Sequence, residues 1–205
     1  MGEKKEMELK IRLDERSYLD LQTYLEKGAR HLLNLVQTNY YLDTRSSDFL
    51  NRKEMIRVRE QDGDLILTHK SRVELEAGYF QSHEKEYLLP LRAPVHLSEV
   101  MSHIPAYLPE AGEDLICLGT MKNFRQVYHW EGFTLELDCS RYGDFDDSPR
   151  DWELECETEE PEVLRNKLLE LFSKLGIVFQ EQTETKFKRF MNITKARSDK
   201  DIGVR

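Results

Sequence analysis

The chain has 205 residues, with 39 acidic against 30 basic side chains and a net charge of −9. That length fits one domain, or at most two small ones, and buries a core without staples; no run approaches the roughly 18 apolar residues of a membrane span. The acidic balance disfavours nonspecific nucleic-acid binding by an open surface, yet it leaves room for an anionic ligand held in an interior pocket.

The first residues, Met1 to Glu6, are charged and lack the apolar core of a secretory signal. From Glu6 to Leu13 polar and apolar residues alternate, which is the period of a half-buried strand. Met7, Leu9, Ile11 and Leu13 form its apolar face, and Glu6, Glu8, Lys10 and Arg12 form the other. Asp14 to Ser17 opens a helix whose stripe is Tyr18, Leu21 and Leu25, ending near Gly28. The stretch 32–42 reads as a strand, and 43–48 as a polar turn. Met55 to Gln61 alternates again, with Met55, Arg57, Arg59 and Gln61 on one face. Asp62-Gly63-Asp64 is a hairpin signal, and Leu65 to Arg72 is the return strand, with Lys70 and Arg72 in phase.

Tyr79 to Leu89 is a further strand carrying Ser82, Glu84 and Glu86 on one face. A loop and short helix follow over 90–103, with Pro94 suited to the helix's first turn. One or two strands are expected over 115–130, with Asn123, Arg125 and Val127 in phase. Phe133 to Ser140 follows with Glu136 and Asp138, then an acidic loop over 143–151. Trp152 to Glu157 alternates as cleanly as the opening stretch, with Glu153 and Glu155 together. Pro161 to Leu175 is a leucine-striped helix stopped by Gly176, and Thr185 to Phe190 reads as the last strand. Residues 192–205 are polar and are expected to form a frayed tail, leaving 1–191 as a single domain.

Any one of these charged faces, taken alone, is an ordinary solvated surface. Their recurrence is the informative feature: acidic pairs stand on four strands and basic pairs on others. Seven or eight hairpin-linked strands with three helices suggest an antiparallel sheet that curls or closes. Closed with those faces inward, it would be a charged tunnel. The three cysteines are odd in number and widely spaced, which predicts reduced thiols and a cytoplasmic setting. The six histidines form no zinc-like pair, and no G-x-x-x-x-G-K-[ST] phosphate loop occurs.

Glu6-x-Glu8-x-Lys10 resembles the E-x-E-x-K signature of the CYTH domain, the triphosphate tunnel metalloenzymes. Arg57-x-Arg59, Leu67-Thr68-His69-Lys70, Glu84-x-Glu86, Arg125, Asp138, Glu153-x-Glu155 and Lys186 follow in the order that family shows. The likeness spans Glu6 to Arg189 and is nearest the less characterised bacterial members. It implies an α+β fold: a closed eight-stranded antiparallel β-barrel with helices packed outside and a triphosphate bound within. Activities in the family include tripolyphosphatase, thiamine triphosphatase, class IV adenylyl cyclase and RNA triphosphatase.

By that resemblance Lys10, Arg12, Arg57, Arg59, Lys70, Arg125 and Lys186 would bind phosphate oxygens. Glu8, Glu153 and Glu155 would hold Mg2+ or Mn2+, with Glu6 and Asp138 serving a second ion or the attacking water, so that Glu6, Lys10 and Asp138 are the expected catalytic residues. One departure is Asn123, where the family commonly has a basic residue two before its arginine. The implied activity is metal-dependent hydrolysis of a small triphosphate. A class IV-type cyclase and a non-enzymatic polyphosphate or nucleotide binding module are the alternatives. The implied partner is a small molecule; no membrane partner is expected, and a homodimer is compatible with the reading.

Overall fold

Strict two-residue alternation gives each strand one apolar and one polar face, so the sheet must choose which face to close around. In the computed structural model it closes around the polar one. The model describes residues 4–76, 79–112, 114–143 and 148–202, with side chains for 7–75, 79–112, 114–143 and 148–196. Strands β1 (Lys4–Leu13), β2 (Arg30–Thr44), β3 (Met55–Gln61), β4 (Asp64–Glu76), β5 (Tyr79–Arg92), β6 (Leu115–Trp130), β7 (Phe133–Tyr142) and β8 (Arg150–Glu157) form one closed barrel. Their order around it is β1-β5-β4-β3-β2-β6-β7-β8.

Two hairpin-linked meanders, β2 to β5 and β6 to β8, join where β2 pairs with β6. β1 closes the ring by pairing with both open edges. Lys4 to Leu9 lie antiparallel to β5, and Glu8 to Leu13 lie antiparallel to β8. Where β5 has ended, the chain at 180–182 takes its place along β1: the Arg12 N–H donates to the Gln180 carbonyl (2.8 Å) and the Gln182 N–H to the Lys10 carbonyl (2.8 Å).

The apolar faces point outward and are covered by helices. α1 (Glu15–Gly28), capped by the Asp14 carboxylate on Ser17 N–H, packs Tyr18, Leu21 and Leu25 on β1, β6, β7 and β8. α4 (Pro161–Leu175) adds Leu164, Leu168, Leu171 and Phe172 to the same cluster, and stops at Gly176 in the left-handed region. A second cluster lies over β2 to β5, where α2 (Asp48–Asn51), α3 (Leu97–His103) and two 3-10 turns bury Phe49, Val100, Ile104 and Leu108. α2 stands where only a polar turn is expected. It is organised by the buried Asp43 carboxylate, which accepts from the backbone N–H groups of Thr44, Phe49 and Leu50. Pro94 precedes α3 by three residues rather than sitting in its first turn.

The region expected to be the last strand is instead helix α5 (Lys186–Ile202), which runs on through Asn192. Phe187, Phe190 and Met191 recur at spacings of three and four, and that helical signal prevails over the local alternation at 185–190. These side chains cluster with Tyr41, Met55, Met121 and Tyr142, which belong to inward faces of the barrel. α5 therefore packs its apolar face against inward-facing side chains of the barrel. Phe190 is 1% exposed and sits against Gly119, where an added Cβ would lie 2.9 Å from its ring. Gly119 also has φ +141°, which a side chain would strain. Of the expected acidic loop, 144–147 lies outside the described residues, and β8 begins at Arg150. Among the described residues no helix is long and apolar enough to cross a membrane.

Candidate active site

The barrel interior holds a cavity of about 770 Å³. Among the described residues nine cations line it (Lys10, Lys53, Arg57, Arg59, Lys70, Arg125, Lys186, Lys188 and Lys195), against seven glutamates (Glu8, Glu54, Glu84, Glu86, Glu136, Glu155 and Glu157). The described lining is thus net positive in a chain that is net negative.

Its charges are arranged in two ways. On the β1, β7 and β8 side they interlock. The Lys10 ammonium lies 2.8 Å from Glu8 Oε2 and 2.5 Å from Glu155 Oε1. Arg125 donates from Nε and Nη2 to both oxygens of Asp138 (2.8 and 2.7 Å), reaches Glu155 at 2.6 Å, and pairs with Glu136. Lys186, from the first turn of α5, contacts Asp138 (2.5 Å), Glu155 (3.0 Å) and Glu153 (3.3 Å). Lys70 joins Glu84 to Glu8, the latter at 3.7 Å. On the β3 side the cations are left over. Arg57 donates to Thr68 Oγ1 at 3.3 Å and approaches Glu86 only to 3.9 Å, and its Nε is buried without a hydrogen-bond partner. Among the described residues Arg59 makes no carboxylate contact, and its Nε donates to Asn39 Oδ1 at 3.2 Å.

Burial penalises every charge here, and its neighbours decide the sign of each shift. Burial pushes the Glu8 carboxyl up, but Lys10 and Lys70 outweigh it and hold its pKa at about 2. Glu155, buried among Lys10, Lys186 and Arg125, is held well below the carboxylate range, and Asp138 is lowered by Arg125 and Lys186 against burial. Burial, with Arg57 and Arg125 nearby, pulls Arg59 down to about 10, and the Glu86 charge offsets this only in part. Burial and the Glu155 charge push Glu153 up to about 7, against Lys186 and Arg189.

Glu153 therefore carries a pH prediction. Its folded pKa lies above the ordinary 4.5, so its contribution to stability is fully present below 4.5 and is lost as pH rises through about 7. One such proton makes stability fall by at most about 1.4 kcal/mol per pH unit in that window. Denaturant melts at intervals from pH 4.5 to 8 should show a shallower fall for Glu153→Gln than for the wild type. An unchanged slope would mean that Glu153 stays ionised throughout.

Most residues expected from the sequence converge here: Glu8, Lys10, Arg57, Arg59, Lys70, Arg125, Glu155 and Lys186 line the cavity. Four need correction or qualification. Arg12 is exposed and lines a separate cavity of about 720 Å³ with Arg16 and Arg150, so it does not join the cations of the barrel cavity. Asp138 and Glu153 are 0% exposed and lie behind the lining. Both Asp138 oxygens meet Arg125, and one also meets Lys186. Glu6 lies in β1 opposite Ser82, and its side chain is outside the described ones.

Two groups of residues escape the sequence reading. Arg189 binds Glu153, Asp151 (2.8 Å) and the Glu184 carbonyl (2.5 Å), fastening α5 to β8. It is three residues after Lys186, a spacing that marks a shared face only once the segment is read as a helix. The second group is Gln37, Asn39 and Ser140, which form a buried neutral wall with Asn123. Asn123, the departure from the family pattern, donates to Gln37 Oε1 (3.2 Å) and accepts from Ser140 Oγ (2.8 Å).

Among the described residues, no three His, Cys, Asp or Glu groups are placed to hold a metal by themselves. Magnesium needs no such cage: one or two carboxylates suffice, with waters and phosphate oxygens completing its shell. Glu8 and Glu155 meet at the Lys10 ammonium, which marks a point that favours positive charge. Glu8 Oε2 is buried and, among the described residues, meets only the ammonium groups of Lys10 and Lys70. This donor set fits a hard divalent cation shared between protein and phosphate.

Comparison with solved structures places the chain beside a Hippeastrum protein, an adenylyl cyclase candidate described as having a dominant triphosphatase activity. The two share 28% identity with a TM-score of 0.77, over 91% of this chain and 95% of that one. A Bacillus halodurans protein described as an adenylate cyclase candidate matches at 20% identity and TM-score 0.66, over 93% and 99% of the two chains. A Pyrococcus horikoshii OT3 protein matches at 16% and 0.65, over 91% and 98%. The latter two likenesses concern the fold. Among curated proteins no match was found. The sequence profile of the CYTH domain matches residues 4–191, nearly the whole of the barrel and its helices, and the chain belongs to that family.

Proposed function

We propose that this protein is a metal-dependent triphosphatase, binding inorganic tripolyphosphate or a small organic triphosphate inside the barrel and releasing phosphate. The observation that carries the proposal is the pair Arg57 and Arg59, two inward cations on one strand that lack close carboxylate partners in an otherwise interlocked interior. Charge-assisted, bidentate hydrogen bonds to phosphate oxygens would satisfy both. The triphosphatase activity described for the Hippeastrum protein supports the hydrolytic reading over the cyclase.

In this reading Arg57 and Arg59 anchor the phosphates from β3, while Lys10, Lys70, Arg125 and Lys186 neutralise them from the other walls. Glu8 and Glu155 would hold a magnesium or manganese ion, which when bound supplies Lewis-acid stabilisation of charge developing on the phosphate oxygens. Asp138 and Glu153, from behind, keep Arg125, Lys186 and Arg189 in place. Residues 1–191 would work as one domain in a reducing cytoplasm, in keeping with three free thiols.

The test is phosphate release from tripolyphosphate, thiamine triphosphate and ATP, with cyclic AMP followed in parallel. Turnover of at least one triphosphate should stop in EDTA and return with added magnesium or manganese. Undiminished release in EDTA would sink the metal-dependent mechanism. Cyclic AMP as the main product would replace hydrolase by cyclase, and binding without turnover would indicate a sensor.

A further inference from the structure

Arg59, which makes no carboxylate contact among the described residues, is not loose. Arg59 Nε donates to Asn39 Oδ1 at 3.2 Å, while the Asn39 amide nitrogen donates to the Met121 carbonyl at 3.3 Å. Those two bonds settle the amide's orientation: its nitrogen is engaged by a backbone oxygen, so its oxygen must face the guanidinium. Asn39 is 1% exposed and lies directly opposite Arg59 in the β2–β3 ladder. The contact uses only Nε, leaving the two terminal nitrogens of Arg59 for a ligand. A carboxylate at this position would hold Arg59 in the same place but neutralise it.

We infer that Asn39 is a positioning residue for anion binding: an uncharged acceptor that fixes the Arg59 guanidinium toward the cavity without cancelling its charge. This rests on the triphosphate reading above and goes beyond it, because it assigns the binding strength of Arg59 to a neutral neighbour. Electrostatics supply the reason for neutrality. Arg59 already bears the repulsion of Arg57 and Arg125, and that repulsion is relieved by whichever anion comes first. With Asn at position 39 the anion must be the ligand; with Asp it would be the protein itself.

The experiment measures metal-free binding of inorganic tripolyphosphate by calorimetry, and KM and kcat with metal, for wild type, Asn39→Asp, Asn39→Ala, Arg59→Ala and the Asn39→Ala/Arg59→Ala double variant. Asn39→Asp should weaken binding and raise KM roughly tenfold or more, with a much smaller change in kcat. Its melting temperature should hold or rise, since it gains an ion pair. Asn39→Ala should raise KM about threefold in the wild type but have no further effect without Arg59, because it acts through that side chain. Undiminished tripolyphosphate binding by Asn39→Asp, or an equal loss from Asn39→Ala in both backgrounds, would overturn the inference. A wild type that binds no tripolyphosphate would overturn the triphosphate reading itself, and this inference with it. If Asn39→Ala unfolds, Asn39→Ser in the same cycle carries the same comparison.

Discussion

Replacing Arg125 by alanine is expected to destabilise the fold by about 3–5 kcal/mol, the usual cost of leaving buried charges without their partner. The arginine is the hub of the acidic side of the interior, contacting Asp138 through two nitrogens and also Glu136 and Glu155. Asp138 is fully buried, so without Arg125 its charge would rest on Lys186 alone. For a chain of this size each kcal/mol lowers the melting temperature by about 2–4 °C, so a fall of roughly 10 °C is expected. Arg125→Lys should lie between, because an ammonium keeps the charge but cannot engage both Asp138 oxygens in the same planar fork. Urea unfolding at pH 7.5 checks the series. A loss under about 1 kcal/mol for the alanine variant would show that these carboxylates do not depend on Arg125 for compensation.

Glu8→Gln is expected to separate turnover from binding. The substitution preserves shape and removes one negative charge beside Lys10 and Lys70, which lie 2.8 and 3.7 Å from Glu8 Oε2. Freed of that carboxylate, the two ammonium groups should bind metal-free tripolyphosphate at least as tightly as in the wild type. Turnover with magnesium or manganese should nevertheless fall by a factor on the order of 100 or more, because an amide oxygen is a much poorer ligand for a hard cation. Glu155→Gln should lose turnover similarly, but with a stability penalty, since Glu155 contacts Lys10, Arg125 and Lys186 together. Initial-rate kinetics beside metal-free calorimetry reads both effects. Turnover within about threefold of wild type for Glu8→Gln would reduce Glu8 to a counter-ion for the two lysines and remove it from the metal set.

Much of this site is legible in the amino-acid order because strand alternation is a local property. A residue two along stands on the same face wherever the strand lies, so Arg57 with Arg59 and Glu8 with Lys10 follow from spacing alone. The helices α1 and α4 are equally local, set by the Asp14 cap, the leucine stripe and the stop at Gly176. Alternation names a face, but it does not say how far along the strand that face stays covered. Arg12 keeps phase with Lys10 yet emerges at the end of the barrel, where the chain near Gln180 has replaced β5 as the neighbour of β1. Arg72 keeps phase with Lys70, but it has φ +51° at an irregularity between Ser71 and Glu74 and turns outward, while Val73 lines the cavity.

By itself, the sequence determined that seven or eight strands would each carry a charged face, and that opposite charges on different strands would need one another. Only the tertiary structure decided which charges are spent on each other. Closing β1 onto both β5 and β8, and packing α5 against inward-facing side chains, brings Lys186 and Arg189 to Asp138 and Glu153 from far along the chain. Those carboxylates become buried counter-ions, while Arg57 and Arg59 face the cavity with no close carboxylate partner among the described residues. The reason is geometric: an ion pair depends on distances of a few ångströms between residues remote in sequence, and such distances exist only once the barrel has closed.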